Sequence, residues 1–232
     1  MVLVIFGFLK NQKMRQILTL LIAVFAISFT TDAQQIRVNG FEQILNPTGR
    51  GNVPAELKAI DHKKYVSKDY KPAYVDDFKQ RAFLRYNIYE DQMEFVKDDN
   101  IYYLQKDLDR VVKFSDNTKY TVKELDGDAQ FFLVHQDGKN MLLAKQTVRF
   151  VEAQEPETGY DARKPADYKR RKDELYLAKD GKELVLIPRK KKTFYGIFGD
   201  KASEIKSYVK KNKLGYKKPK DLKKIVAYYN TI

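Results

Sequence analysis

Residues 131–144 read FFLVHQDGKNMLLA. Two apolar segments flank the pair Asp137-Gly138, which readily adopts the positive φ angles that a two-residue type I′ turn requires. The stretch therefore predicts a β-hairpin, and a hairpin commits this part of the chain to antiparallel pairing. A second Asp-Gly pair, at 180–181, lies between apolar segments in the same way and predicts a second hairpin.

The wider region 81–152 repeats this design. Ala82, Leu84, Tyr86 and Ile88 alternate with other residues, which is the period of a strand with one buried face. Short runs rich in Asp, Asn and Ser separate further strands, which are predicted at residues 92–97, 101–105, 110–114 and 119–125. This spacing predicts an antiparallel meander that closes toward a sandwich or a small barrel.

The end of the chain changes from the period of a strand to the period of a helix. A first helix is predicted to end near Lys213, just before Gly215, and Pro219 opens a second one. The apolar stripes of the two helices consist of Ala202, Ile205, Tyr208 and Val209, and of Leu222, Ile225, Val226 and Tyr229. The expected fold class is therefore α+β, mainly β, with a C-terminal pair of amphipathic helices.

These patterns divide the chain into five segments. The linker assignment rests on Pro156, Gly159 and Pro165 and on the lack of an apolar period around them. The predicted segments are a signal peptide at 1–33, an N-terminal wrap or linker at 34–78, a β-meander core at 79–153, a linker or long loop at 154–173, and a β-hairpin plus two basic helices at 174–232.

The N-terminus predicts export. Arg15 precedes the apolar run 17–29 and the small residues around Ala33, which is the order of a secretory signal peptide, and we expect cleavage near Ala33. Met14 is a second candidate initiator. A retained membrane anchor is the alternative, although the apolar run is shorter than the ~20 residues that a span requires. No later segment could span a bilayer as a helix, so we expect a periplasmic, envelope-associated or secreted protein.

Several kinds of site are disfavoured by composition and spacing. The chain has no cysteine, which excludes disulfides, thiolate metal sites and Cys nucleophiles. His62 and His135 are the only histidines, and neither has a neighbour at metal-ligand spacing. The adjacent carboxylate pairs, at 76–77, 90–91 and 98–99, fit turns better than a catalytic cleft. We therefore expect no catalytic residue, no cofactor and no metal, and do not expect an enzyme.

Basic residues are concentrated in the C-terminal third. Residues 161–232 hold 22 Lys and Arg against 9 Asp and Glu, so they carry the whole net charge of +13. Such a patch indicates a polyanion partner or, as the alternative, a solvated lysine face on docked helices. The residues predicted to contact an anion or a partner are Arg170, Arg171, Lys172, Arg189, Lys190, Lys191, Lys192, Lys217, Lys218, Lys220, Lys223 and Lys224.

The signal peptide, the cysteine-free meander and the ending FGDK at 198–201, IKSYVKKNKL at 205–214 and YYN at 228–230 carry a resemblance. In these features the chain resembles uncharacterised exported, β-rich proteins of Bacteroidetes-type Gram-negative bacteria. The resemblance covers roughly Tyr70 to Ile232 and includes no catalytic residue. It implies a location in the cell envelope.

Together these patterns predict an exported, non-catalytic protein of the periplasm or envelope that acts as a binding or structural module. Its expected partner is an anionic envelope surface, formed by lipid headgroups or polysaccharide, or an envelope protein. Export makes nucleic acid an unlikely partner. The alternatives are a carboxylate-dependent hydrolase and a glycan-binding module that uses tyrosines such as Tyr102, Tyr103 or Tyr176.

Overall fold

The computed structural model of the protein describes residues 41–42, 54–76, 81–97, 100–156 and 161–232. The predicted signal peptide, its cleavage site and the acidic residues Asp77, Asp98 and Asp99 lie outside these residues. None of the helices in the described ranges has the length and apolar character needed to cross a membrane.

Thirteen strands and four α-helices make up the described chain. In chain order the strands are β1 (Phe41–Glu42), β2 (Lys71–Val75), β3 (Ala82–Asn87), β4 (Gln92–Lys97), β5 (Asn100–Leu104), β6 (Val111–Phe114), β7 (Lys119–Leu125), β8 (Asp128–Gln136), β9 (Met141–Lys145), β10 (Val148–Val151), β11 (Asp167–Arg170), β12 (Glu174–Lys179) and β13 (Glu183–Leu186). The helices are α1 (Ala55–Ile60), α2 (Lys191–Gly196), α3 (Ala202–Lys211) and α4 (Pro219–Tyr229), and 3-10 turns lie at Asp61–Lys64 and Gly199–Lys201.

Eleven of the strands form one antiparallel sheet in the order β1-β5-β4-β3-β2-β6-β7-β8-β9-β12-β13. The sheet is curled into a half-barrel. The predicted mainly β, antiparallel fold is thus confirmed, and the choice between sandwich and barrel is resolved as a single curled sheet. β10 and β11 pair separately as a two-stranded sheet.

The sheet extends beyond the predicted core at 79–153 on both sides. β2 lies between β3 and β6, with Ala73, Tyr74 and Val75 opposite Phe114, Lys113 and Val112. β12 pairs with β9, so the β12–β13 hairpin continues the same sheet. The segment predicted as a linker contains β11. The β2–β6 and β9–β12 pairings join strands that are distant in sequence, which a local pattern does not encode.

The sheet contributes apolar side chains to two separate core clusters. The predicted face of β3 is confirmed, because Leu84, Tyr86 and Ile88 are buried in one core cluster. On β9 and β12, Leu142 and Leu177 pack under the helices. The predicted apolar stripes of α3 and α4 are confirmed, because their residues pack in the same buried cluster as Leu142 and Leu177. These residues are Ile205, Val209, Leu222, Ile225 and Val226.

α2 was not expected from the sequence. It begins inside the basic run 189–192, where lysines outnumber apolar residues and hide the helical period. Its Phe194 is fully buried among the residues of the helical cluster. Phe194 and the half-buried Tyr195, which packs against the same cluster, dock the helix, and the lysines before them stay exposed.

The turns differ in detail from the predicted type I′ geometry. Positive φ at both positions occurs in the two-residue turn Asp126-Gly127, which joins β7 to β8, and at the predicted pair Asp180-Gly181, where the loop between β12 and β13 has Lys182 as a third residue. At Asp137-Gly138 the loop is longer, because the β8–β9 register shifts beside Val134. Asn230 holds this longer loop: its Oδ1 accepts from the Asn140 N–H at 2.7 Å, and its Nδ2 donates to the Asn140 carbonyl at 2.8 Å.

Candidate functional site

The predicted contact residues lie in three separate parts of the fold. Arg170, Arg171 and Lys172 stand at and after the end of β11. Residues 189–192 lie before α2 and in its first turn, and residues 217–224 include the first turns of α4. All twelve predicted side chains belong to exposed residues. The structure therefore keeps every one of these charges at the surface, where a partner could reach it.

One cleft brings the three parts together. It has a volume of about 470 Å³ and lies between the start of β12, the end of β13 and the segment before α4. Lys172, Arg189 and Lys217 all line it, and each comes from a different basic stretch. The cleft exists because β12 and β13 are antiparallel neighbours, so the residues before β12 and after β13 meet at one end of the hairpin.

The rest of the lining is mostly apolar and aromatic. It includes Leu175, Leu186, Ile187, Pro188 and Tyr216. The Tyr216 ring packs against the buried ring of Phe194, with centroids 5.3 Å apart. The ammonium of Lys217 lies 5.5 Å from the centroid of the Tyr216 ring. An apolar lining with a few cations at its rim is the usual composition of a ligand cleft.

Two acidic residues also line the cleft, and both have partners in the protein. Asp173 is 3.4 Å from the guanidinium of Arg170. Glu174 accepts a hydrogen bond of 3.1 Å from the hydroxyl of Tyr176. Burial of Tyr176, together with the charge of Glu174, raises the pKa of that hydroxyl to about 12. The Arg170 charge is thus partly compensated within the protein.

The three cations of the cleft itself form no direct ion pair within the described residues. Among the described residues, no carboxylate lies within the 4.0 Å of an ion pair from Lys172, Arg189 or Lys217. The three cations outnumber the carboxylates of Asp173 and Glu174 around this concave surface, so its net charge is positive and favours a bound anion. The arrangement can bind carboxylate or phosphate groups without first breaking an internal ion pair.

A second basic concavity lies at the start of α4. It has a volume of about 440 Å³, and Lys220, Lys223 and His135 line it together with Asp116 and Thr118. Burial lowers the pKa of His135, while Asp173 acts to raise it and Lys223 to lower it. The neutral imidazole is therefore favoured here. The predicted residues that line neither concavity are Arg170, Arg171, Lys190, Lys191, Lys192, Lys218 and Lys224.

Sequence reasoning missed the aromatic part of the cleft. Tyr216 directly precedes the basic run and follows Gly215, and that position was the available signal. The tyrosines named for a glycan-binding module are placed less favourably. Tyr176 is buried, and Tyr102 is half-buried and stacked on Phe95 with centroids 5.2 Å apart. Tyr103 is half-buried and donates a hydrogen bond to Glu90.

The poorly exposed carboxylates of the sheet are held by cations. Glu94 is 2.8 Å from a guanidinium nitrogen of Arg85. Asp91 accepts from Lys106 at 2.8 Å and from Lys145 at 2.7 Å. Within the described ranges no three or more His, Asp or Glu residues form a group that could hold a metal ion. These carboxylates act as structural partners of buried cations.

The second histidine, His62, is exposed in the 3-10 turn after α1. Its Nδ1 lies 3.0 Å from the carbonyl oxygen of Ala59.

Comparison with known proteins found no matching family model, no similar curated protein and no similar solved structure.

Proposed function

We propose that this is an exported, non-catalytic binding protein that holds an anionic component of the cell envelope on its basic C-terminal surface. The curled sheet serves as the scaffold, and the cleft lined by Lys172, Arg189 and Lys217 is the centre of the contact. The observation that carries this proposal is the convergence of three separate basic stretches on one concave surface.

The magnitude of the interaction follows from the number of charges. A basic residue near an anionic surface contributes about 1 kcal/mol at moderate ionic strength. Three such residues in one cleft contribute about 3 kcal/mol, which corresponds to a roughly 100-fold change in affinity. Because the charges are exposed, salt should weaken the interaction strongly.

The location is supported by the predicted signal peptide and by the resemblance to exported proteins. In an envelope the available anions are lipid headgroups, acidic polysaccharides and acidic protein segments. These ligands share phosphate or carboxylate groups, which are the groups that Lys and Arg bind best. The proposal needs no reacting group, which agrees with a non-catalytic role.

The test is binding of the purified protein to isolated envelopes at increasing salt. The triple variant Lys172→Gln, Arg189→Gln and Lys217→Gln is expected to bind roughly 10- to 100-fold more weakly. A matched control removes the same charge from exposed lysines elsewhere, through Lys58→Gln, Lys68→Gln and Lys113→Gln.

The control should bind within about 3-fold of the original protein, because distant exposed charges are screened. Equal losses in both variants would mean that net charge alone drives binding. Unchanged binding in the cleft variant would refute the proposal.

A further inference from the structure

β13 forms one end of the large sheet, and within the described residues no strand pairs with its outer side. The Ile187 N–H donates to the Leu175 carbonyl at 2.8 Å, so Ile187 is a residue of β13's side of the hairpin whose backbone groups point toward β12. Val185 and Glu183 therefore also direct their backbone groups toward β12, since hydrogen-bonded positions alternate in an antiparallel pair. The N–H and C=O groups of Leu184 and Leu186 point outward from the sheet edge.

The side chains of this edge are apolar on one face. Val185 packs under the helices, whereas Leu184 belongs to the cluster on the opposite face. Leu186 is two residues from Leu184, so it lies on that same face, and it is 53% exposed. An additional strand beside β13 could satisfy the outward backbone groups and cover Leu186 in one step.

Charge determines which strand could dock there. Lys182 precedes β13, and Arg189 and Lys190 follow it, while Glu183 lies 4.0 Å from Lys179. A second copy of β13 in antiparallel register would bring like charges together at both ends, which is unfavourable. An acidic segment would instead be attracted by the basic residues at both ends of β13.

The open edge is continuous with the basic cleft. Leu186 and Arg189 line the cleft, so a strand that runs along β13 leads directly into it. Residues beyond the end of such a strand would lie near Lys172 and Lys217. The sheet edge thus supplies backbone hydrogen bonds, and the cleft supplies the preference for negative charge.

We propose that the β13 edge binds an extended, acidic segment of another envelope protein as an additional strand of the sheet. This proposal rests on the proposed function for the negative charge of the partner. It adds that recognition is by main-chain pairing, with one apolar side chain of the segment against Leu186 and its carboxylates in the cleft.

The probe is a fluorescent ten-residue peptide in which three Glu residues are followed by alternating Thr and Val residues, so that antiparallel pairing with β13 places the Glu residues at the cleft; binding is measured by anisotropy. Leu186→Pro removes the outward N–H and leaves the bonds to β12, since Pro is tolerated at an outward edge position. It should weaken peptide binding at least 10-fold. The control Leu186→Thr keeps this N–H and should change binding less than 3-fold.

A second arm uses the unaltered protein and therefore does not depend on how Leu186→Pro folds. The same peptide with N-methyl groups on alternate amides, in each of the two phases, should lose binding in one phase only. Equal binding of both methylated peptides and the parent peptide would overturn the proposal. So would undiminished peptide binding by a folded Leu186→Pro protein.

Dextran sulfate separates this proposal from the proposed function. It should bind Leu186→Pro as well as the original protein, because it makes no strand, and it should bind the triple cleft variant weakly. If dextran sulfate and envelopes bind the triple variant normally, the proposed function fails. The N-methylated peptides still decide whether the edge pairs with a strand.

Discussion

The pair Arg85 and Glu94 provides the sharpest test of how the scaffold is held together. The two residues stand directly opposite each other on β3 and β4. Two guanidinium nitrogens of Arg85 lie 2.9 and 2.8 Å from one carboxylate oxygen, and Asn87 donates to the other at 2.8 Å. The side chains are only 17% and 3% exposed. Water therefore screens this ion pair much less than a surface pair.

The guanidinium of Arg85 is also enclosed by aromatic rings. Its central carbon lies 3.8 Å from the ring centroid of Tyr65 and 4.5 Å from that of Tyr70. Glu94→Gln keeps the volume of the side chain and an oxygen for Asn87, but it leaves the positive charge of Arg85 without a counterion. Removal of one partner from a buried pair costs about 3–5 kcal/mol, and the partial exposure of Arg85 favours the lower end.

The double variant Arg85→Met with Glu94→Gln removes the uncompensated charge as well. It is expected to recover at least about 1 kcal/mol relative to Glu94→Gln alone, because a neutral side chain pays no desolvation penalty. Urea unfolding at pH 7, followed by circular dichroism, measures both differences. If the double variant is no more stable than Glu94→Gln, the cost does not come from the unpaired charge, and the reasoning is refuted.

Two further predictions concern the stability of exposed turns. Lys213 has a φ of 52° at the end of α3, where the Leu214 N–H bonds to the Val209 carbonyl. Because glycine adopts this left-handed conformation more easily than lysine, Lys213→Gly should raise the free energy of unfolding by about 1 kcal/mol. An unchanged melting temperature would contradict this. Hydrogen bonds from Thr118 and Lys71 lower the pKa of Asp116 to about 2, so its contribution is present above about pH 4 and is lost as the pH falls toward 2. Asp116→Asn should therefore cost up to about 1 kcal/mol at pH 7, since these side chains are well exposed, and clearly less at pH 2, where the carboxyl is half protonated; a cost at pH 2 as large as at pH 7 would exclude this cause.

The strands of the meander could be predicted because their signal is local. Leu84, Tyr86 and Ile88 alternate in the sequence and are buried in the structure. The opposite face was harder, since Asn87 is 2% exposed although its position predicts a solvated side chain. Tyr65 and Tyr70 approach this face from a segment without a strand period, and their approach is a tertiary event.

The candidate site could likewise be predicted from the sequence only in part. The positive charge of Lys172, Arg189 and Lys217 was evident from the sequence, because composition alone reveals it. Their meeting in one cleft depends on the local β12–β13 hairpin and on the docking of α4 against β8 and β9, which are distant along the chain. The role of Leu186 depends on the strand order, since an edge strand and a central strand can have the same sequence pattern.

The position of β2 determines the order in which the sheet can form. The strands β3 to β5 and β6 to β9 each follow one another along the chain, so each group can assemble from nearby contacts at high rates. β2 connects the groups through only three residue pairs with β6, and the chain of β3 to β5 must close as a loop before those pairs form. We therefore expect closure of this seam to be the slowest step in the formation of the sheet. The buried residues Ala73, Val75 and Val112 lie at this seam, so substitutions there are expected to slow the formation of the continuous sheet as well as to destabilise it.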